Sequence, residues 1–401
     1  MAASEENTKP TKIRKQTKEF LFFSLVLLVS YSLFDIAVAS AQKRPAASPK
    51  AASQFNRLAQ EASAAREADR LEEAIPLYLQ ALRLKPSWKE GWWYVGTMYY
   101  ERDEFVEARD AFKKFVSLEE KFGPAWSMMG MCEFRLKEYP QALLSVRRGN
   151  RLGFGDNQEI RRAARYHEAI LLTRFEHYEL SYDLLSRMLK EQSDSQDLIS
   201  ALGLALLRLP YLPSETPPEK REVVYKTGRA SFLAVTNHTS EAEREFRELI
   251  ANFPNTPGTH YAYGVFLLRD RSDDGLEEFR RELLVSPDHV PARLQIAFEY
   301  IKRGEHAKGL PFAEEALKLA PGLFAAHNAL GRILLETGEV ERAIRELEAG
   351  VKLAPDSPEM QFALARAYTR AGRKDDAEKA RAEFRRLDEI KQKKEIGTNE
   401  K

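Results

Sequence analysis

Apolar residues recur along most of the chain in steps of three and four, the spacing of one face of an α-helix. The clearest stretch runs from Phe324 to Pro355. Ala326, Leu330 and Leu334 make one apolar stripe, and Val340, Ala343, Ile344, Leu347 and Val351 make a second. Between them stands Gly338, which suits a left-handed helix cap where a side chain would add strain. Glu341 with Arg345, and Glu348 with Lys352, occupy the polar face as i,i+4 pairs, and Pro355 ends the second helix. The pattern predicts two short helices joined by a tight turn. One such hairpin cannot bury both stripes by itself, so further copies must stack against it.

Those copies are present. Pro287, Pro321 and Pro355 stand 34 residues apart, and Ala74, Ala108 and Ala142 keep the same interval. Trp92 with Trp126, and Gly96 with Gly130, keep it too. In the first helix a large apolar residue is followed by Gly or Ala four places on, then an aromatic or Leu. In several second helices come Ala, an aromatic or Leu, Ala again and a closing Pro, with Glu120 and Phe154 standing where two of those prolines would be. This arrangement resembles the tetratricopeptide repeat. The resemblance extends from about Phe55 to Leu387. It implies an all-α fold, a right-handed α-solenoid or superhelix of about nine helical hairpins in which each unit packs on its neighbours. It implies no single task, because the repeat serves many.

Outside the repeats the chain changes character. Residues 1–19 carry Lys9, Lys12, Arg14, Lys15 and Lys18, an apolar run follows from Phe20 to Phe34, and Ala39 and Ala41 precede Gln42. Basic, apolar and small segments in that order fit a signal peptide over residues 1–41. The alternative is an uncleaved anchor through residues 20–39, the length a span needs, although Asp35 within it is costly. Both alternatives put the repeats outside the cytoplasm: periplasmic, secreted, or held on the inner membrane facing outward. Residues 42–54 predict a flexible linker, 55–209 an N-terminal block of repeats, and 210–221 a proline-rich insertion that reads as a hinge or edge decoration. Residues 222–390 predict a C-terminal block closed by a charged capping helix, and 391–401 a disordered tail.

Composition narrows the chemistry. The net charge of +1 gives no global field for nucleic acid. One cysteine, Cys132, excludes an intramolecular disulfide and a cysteine zinc site; Met129 and Phe134 beside it predict a buried side chain rather than a reactive thiol. His167-Glu168 opens like a zinc-protease helix, but Leu171 stands where the second histidine would be. Gly153-Phe154-Gly155 lacks the third glycine of a dinucleotide loop. The expectation is no catalytic site, no metal and no cofactor. Asn237-His238-Thr239 fits a glycosylation sequon and is read as a chance match.

The resemblance also supplies candidate binding residues. In the family, first helices line a concave groove, which residues one, five and eight places after each large apolar position tend to face. Carried onto this chain, those positions give Trp93, Thr97 and Tyr100, then Ser127, Met131, Phe134 and Arg135, then Tyr166 and Arg174. In the C-terminal block they give Phe298, Asn328 and Arg332, with Phe362, Arg366 and Arg370 further on. Aromatic and arginine side chains suit an extended peptide or an amphipathic helix. The alternative for Trp93, Tyr100, Phe134 and Tyr166 is packing between helices. A lysine–asparagine clamp for a terminal carboxylate, found in some family members, is matched only in part by Asn328 and Arg332, with Ala59 and Ser63 at the first repeat's clamp positions. The implied partner is a protein or peptide, with no nucleic acid, and the membrane enters only through residues 20–39. A glycan or small ligand in the aromatic N-terminal groove is the alternative.

Overall fold

The computed structural model of the protein describes residues 49–191 and 195–399. The signal or anchor segment, most of the expected linker and the last two residues lie outside them. The described residues form nineteen α-helices and no strand.

They divide into two compact units, meeting between Glu168 and Ala169. The first holds α1 (Pro49–Glu67) paired with α2 (Leu71–Leu84), α3 (Lys89–Glu101) with α4 (Phe105–Leu118), and α5 (Gly123–Arg135) with α6 (Tyr139–Leu152), then the opening of α7 (Gln158–Arg174). The second continues with the end of α7, α8 (Tyr178–Glu191) and a single helix α9 (Gln196–Leu206). Five hairpins follow: α10 (Pro218–Val235) with α11 (Thr239–Asn252), α12 (Thr259–Leu267) with α13 (Ser272–Val285), α14 (Val290–Lys302) with α15 (His306–Leu319), α16 (Phe324–Thr337) with α17 (Val340–Leu353), and α18 (Pro358–Arg370) with α19 (Lys374–Asn399).

Most of the tight turns share one physical cause; the α12–α13 turn, with no left-handed residue, closes instead through Arg271 N to Leu267 O at 2.8 Å. The chain leaves the first helix through one left-handed residue, Asp69, Asp103 and Lys137 early on and Gly304, Gly338 and Gly372 late. The next amide then bonds back to the carbonyl five residues earlier, as in Glu104 N to Tyr99 O and Glu339 N to Leu334 O, both 2.9 Å. That satisfies helix-end carbonyls which would otherwise be orphaned.

The small residue in each first helix is explained by what lies opposite. A Cβ on Gly96 would stand 2.8 Å from the Phe112 ring, and one on Gly331 would stand 2.6 Å from Leu347. The second-helix aromatic or leucine thus packs directly on the first helix's backbone. Tyr78, Phe112, Phe246 and Phe279 fill these places and are almost wholly buried.

At four places the helix bounds and the unit boundary fall elsewhere than the expected segment edges. Helix α1 starts at Pro49, so residues 49–54 are helical and not linker; proline fits the first helical position, and Ala51 and Ala52 favour continuation. Helix α19 runs to Asn399, replacing the expected tail from 391. Within 210–221 the chain makes a 3-10 turn at Pro213–Glu215 and enters α10 at Pro218, with Leu212 and Thr216 buried. The unit boundary falls inside α7, and the proline-rich segment sits within the second unit. Helix α9, which has no hairpin partner in the repeat pattern, crosses α10 closely. A Cβ on Gly203 would meet Val224 O at 1.9 Å, and one on Gly228 would meet Ile199 O at 1.9 Å.

Candidate interaction surface

In the first unit the expected groove residues are largely engaged with one another. Trp93 lies half-buried among Phe112, Phe115 and Phe122, with ring centroids 5.6, 5.8 and 5.5 Å away. Tyr100 meets Phe105 edge-on at 5.5 Å, and Phe134 sits between Tyr139 at 5.6 Å and His167 at 4.7 Å. Tyr166 is 5.9 Å from the His167 ring. Thr97 donates its hydroxyl to Tyr94 O at 3.0 Å. Ser127 and Met131 are 0% and 2% exposed, so they offer no surface to a ligand. The cause for Ser127 is another close crossing: its Oγ lies 2.0 Å from where a Gly149 Cβ would stand. Arg135 keeps its side chain open. Its guanidinium lies 4.3 Å over Phe105 and reaches Asp103 at 3.3 Å.

The position held by Trp92 and Trp126 has a structural job. Each indole Nε1 donates to a carbonyl six residues upstream, Pro86 O and Glu120 O, both at 2.9 Å. In the second unit His260 and His327 serve the same bond. Their Nε2 atoms lie 3.2 Å from Pro254 O and 3.0 Å from Pro321 O. An imidazole has a second nitrogen to satisfy, and each finds a carboxylate: Glu278 at 2.6 Å and Glu346 at 2.9 Å. Glu282, wholly buried, accepts from the amides of Gly258 at 2.8 Å and Tyr261 at 3.1 Å at the start of α12. Burial pushes its carboxyl above the usual range. These histidines and acids are therefore hairpin fittings. Among the described residues no group of three or more His, Cys, Asp or Glu could hold a metal ion. Burial also pushes the Cys132 thiol well up, which makes it inert.

The remaining candidates lie in the second unit. Arg174 donates to Pro210 O at 2.9 Å and stands 3.9 Å from Glu215. Phe298 is half-buried against the last hairpins' core. Asn328 is 9% exposed, and its buried Oδ1 has no partner. Arg332 is half-buried four residues on, so it shares that face of α16. Counting one, five and eight places missed Lys302 and Glu336, which stand nine places along. The 34-residue interval finds both, since 302, 336 and 370 are equivalent.

The structure thus defines a class: paired helices repeated in register. A tetratricopeptide-repeat family model matches residues 59–125, 294–358 and 328–388 of this chain. Repeats of this family are non-catalytic interaction scaffolds, and the match supports such a role here in general. A curated relative, the protein CTR9 homolog of Arabidopsis thaliana, is 28% identical over 148 residues, or 36% of this chain; the chain spans only 13% of that relative's length. Among solved structures, a MamA double mutant is 19% identical with a TM-score of 0.39, covering 42% of this chain and 96% of its own. MamA from Desulfovibrio magneticus RS-1 is 21% identical with a TM-score of 0.37, covering 43% and 96%. Among the described residues no helix is long and apolar enough to cross a membrane.

Proposed function

We propose that this protein is an interaction scaffold working outside the cytoplasm, exported or membrane-tethered by its first 41 residues. Its first-helix faces hold a protein or peptide partner and promote complex assembly. The observation that carries the reading is the register of the last hairpins. Side chains 34 residues apart on α14, α16 and α18, such as Phe298 and Arg332, line up into one surface that serves no catalytic arrangement. The basic, apolar and small order of residues 1–41 supports export. The engagement of Trp93 with three phenylalanines favours a protein partner over a sugar, which needs an open aromatic face.

A photo-crosslinking residue at Phe298 or Arg135 tests this in intact cells. The expected result is recovery of a specific extracytoplasmic protein, with none from the same probe at Leu144, on α6. Equal yields from all three sites would overturn the reading. A compartment-sensitive reporter fused after residue 41 should be active only outside the cytoplasm.

A further inference from the structure

The surface formed by α14, α16 and α18 has a charge pattern that selects its occupant. These helices are neighbours, and the 34-residue interval places Phe298, Arg332 and Arg366 in one row and Lys302, Glu336 and Arg370 in the next. These two rows therefore hold four cations and one carboxylate. Glu336 accepts from Arg366 at 2.6 Å and from Arg370 at 3.1 Å. Lys302 is 72% exposed and only 3.7 Å from Glu299 of its own helix. Arg332 is the telling member. It is half-buried, and among the described residues it makes no hydrogen bond and no ion pair. Desolvation, and then the nearby Arg366 charge, hold its pKa below the ordinary arginine value. A guanidinium placed this way costs stability unless an anion arrives to pair with it.

The surface is not uniformly cationic. Phe298 flanks Arg332, and Phe362, 51% exposed, stands one turn before Arg366 on α18. Glu336 would repel a continuous run of phosphates. The combination suits carboxylates spaced by apolar side chains.

We propose that this face binds an acidic, amphipathic peptide segment of a partner protein. Its carboxylates pair with Arg332 and with the Arg366–Arg370 edge, and its apolar side chains cover Phe298 and Phe362. The segment lies within the partner's chain, because the cations are spread over three helices rather than gathered at one point where a terminal carboxylate would sit. The inference rests on the scaffold reading above and names the partner's chemistry.

The test uses the full chain and a fluorescein-labelled, C-terminally amidated peptide of alternating Glu and Leu, followed by anisotropy at low salt. Arg332→Met should weaken binding about tenfold or more while the thermal midpoint holds or rises, since the variant removes an unpaired cation. The same peptide with Gln for Glu should not bind. Arg386→Gln, on α19, should leave binding unchanged. The proposal is overturned if the Gln peptide binds equally, if Arg332→Met has no effect, or if Arg386→Gln weakens binding as much. It is also overturned if a free terminal carboxylate proves necessary, or if inorganic polyphosphate displaces the peptide at equal charge. Should the peptide fail while crosslinking from Phe298 still recovers a protein, this inference falls and the scaffold reading stands.

Discussion

In the first three hairpins the turn residue is Asp69, Asp103 or Lys137, with φ of +57°, +59° and +63°; in the last three it is Gly304, Gly338 or Gly372. The upstream carbonyl is bonded by an indole at Trp92 and Trp126, but by an imidazole backed by a carboxylate at His260 and His327. Trp93, Phe112, Phe115 and Phe122 pack together early on, whereas α14 to α19 rely on Ala313, Ala329, Leu330, Ile333 and Leu347. One period is thus met with two chemistries. The comparison separates what the repeat favours from what it tolerates. It favours a left-handed residue at most turns, an N–H donor to the upstream carbonyl at four helix entries and a small residue under a large one. It tolerates any side chain that meets those conditions. It also explains the surfaces: aromatic groove candidates in the first unit are consumed by packing, while the leaner core of the last hairpins leaves cations facing outward.

The largest expected effect tests whether close backbone approach matters equally in both units. Gly203→Ala in the second unit and Gly123→Ala in the first should each cost about 3 kcal/mol in urea unfolding, because the added carbon would meet Val224 O at 1.9 Å and Gly153 O at 2.0 Å. A loss below about 1 kcal/mol at either site would show that the helices there can separate.

Next comes a pH effect. His289 Nδ1 accepts from the Ala292 amide at 3.1 Å, so the ring is neutral there, and burial followed by the Arg208 charge pushes its pKa down to about 4 from the ordinary 6.5. Below pH 6.5 the unfolded chain takes up a proton that the folded chain refuses until about pH 4, so stability falls across that window. With partial exposure discounted, the loss is on the order of 2 kcal/mol. His167 in the first unit is shifted the same way by burial, so both units should weaken in acid. His289→Asn keeps the helix cap and removes one titrating group, and should flatten the slope of stability against pH.

The two donors at the helix entry should differ in cost. Trp92→Phe removes its bond to the exposed Pro86 O, for at most about 1 kcal/mol, whereas His260→Phe removes the bond to Pro254 O and also strips a partner from the buried Glu278, for about 2 kcal/mol. Equal losses would mean that Arg281, 2.7 Å from Glu278, suffices alone. Smallest are the turns. Lys137→Gly should stabilise by about 0.5–1 kcal/mol and Gly338→Ala should destabilise by about 1 kcal/mol, both read from thermal midpoints.

The sequence by itself determined the helices, their pairing and their interval. Those properties are local: apolar spacing fixes a helical face, a residue such as Gly338 marks the turn, and each hairpin's stripes need the next one. It also carried Arg332 and Asn328 as surface candidates. Only tertiary packing decided which candidates kept any surface. Met131 and Phe298 both come from counting along a first helix, yet Met131 is buried and Phe298 is half-open, because burial depends on neighbours distant in the chain. Tertiary structure alone also set the α9–α10 crossing, where Gly203 and Gly228 meet opposing carbonyls, and the shared use of Glu336 by two arginines. Both depend on distances between separate helices, which a periodicity along one strand of text does not encode.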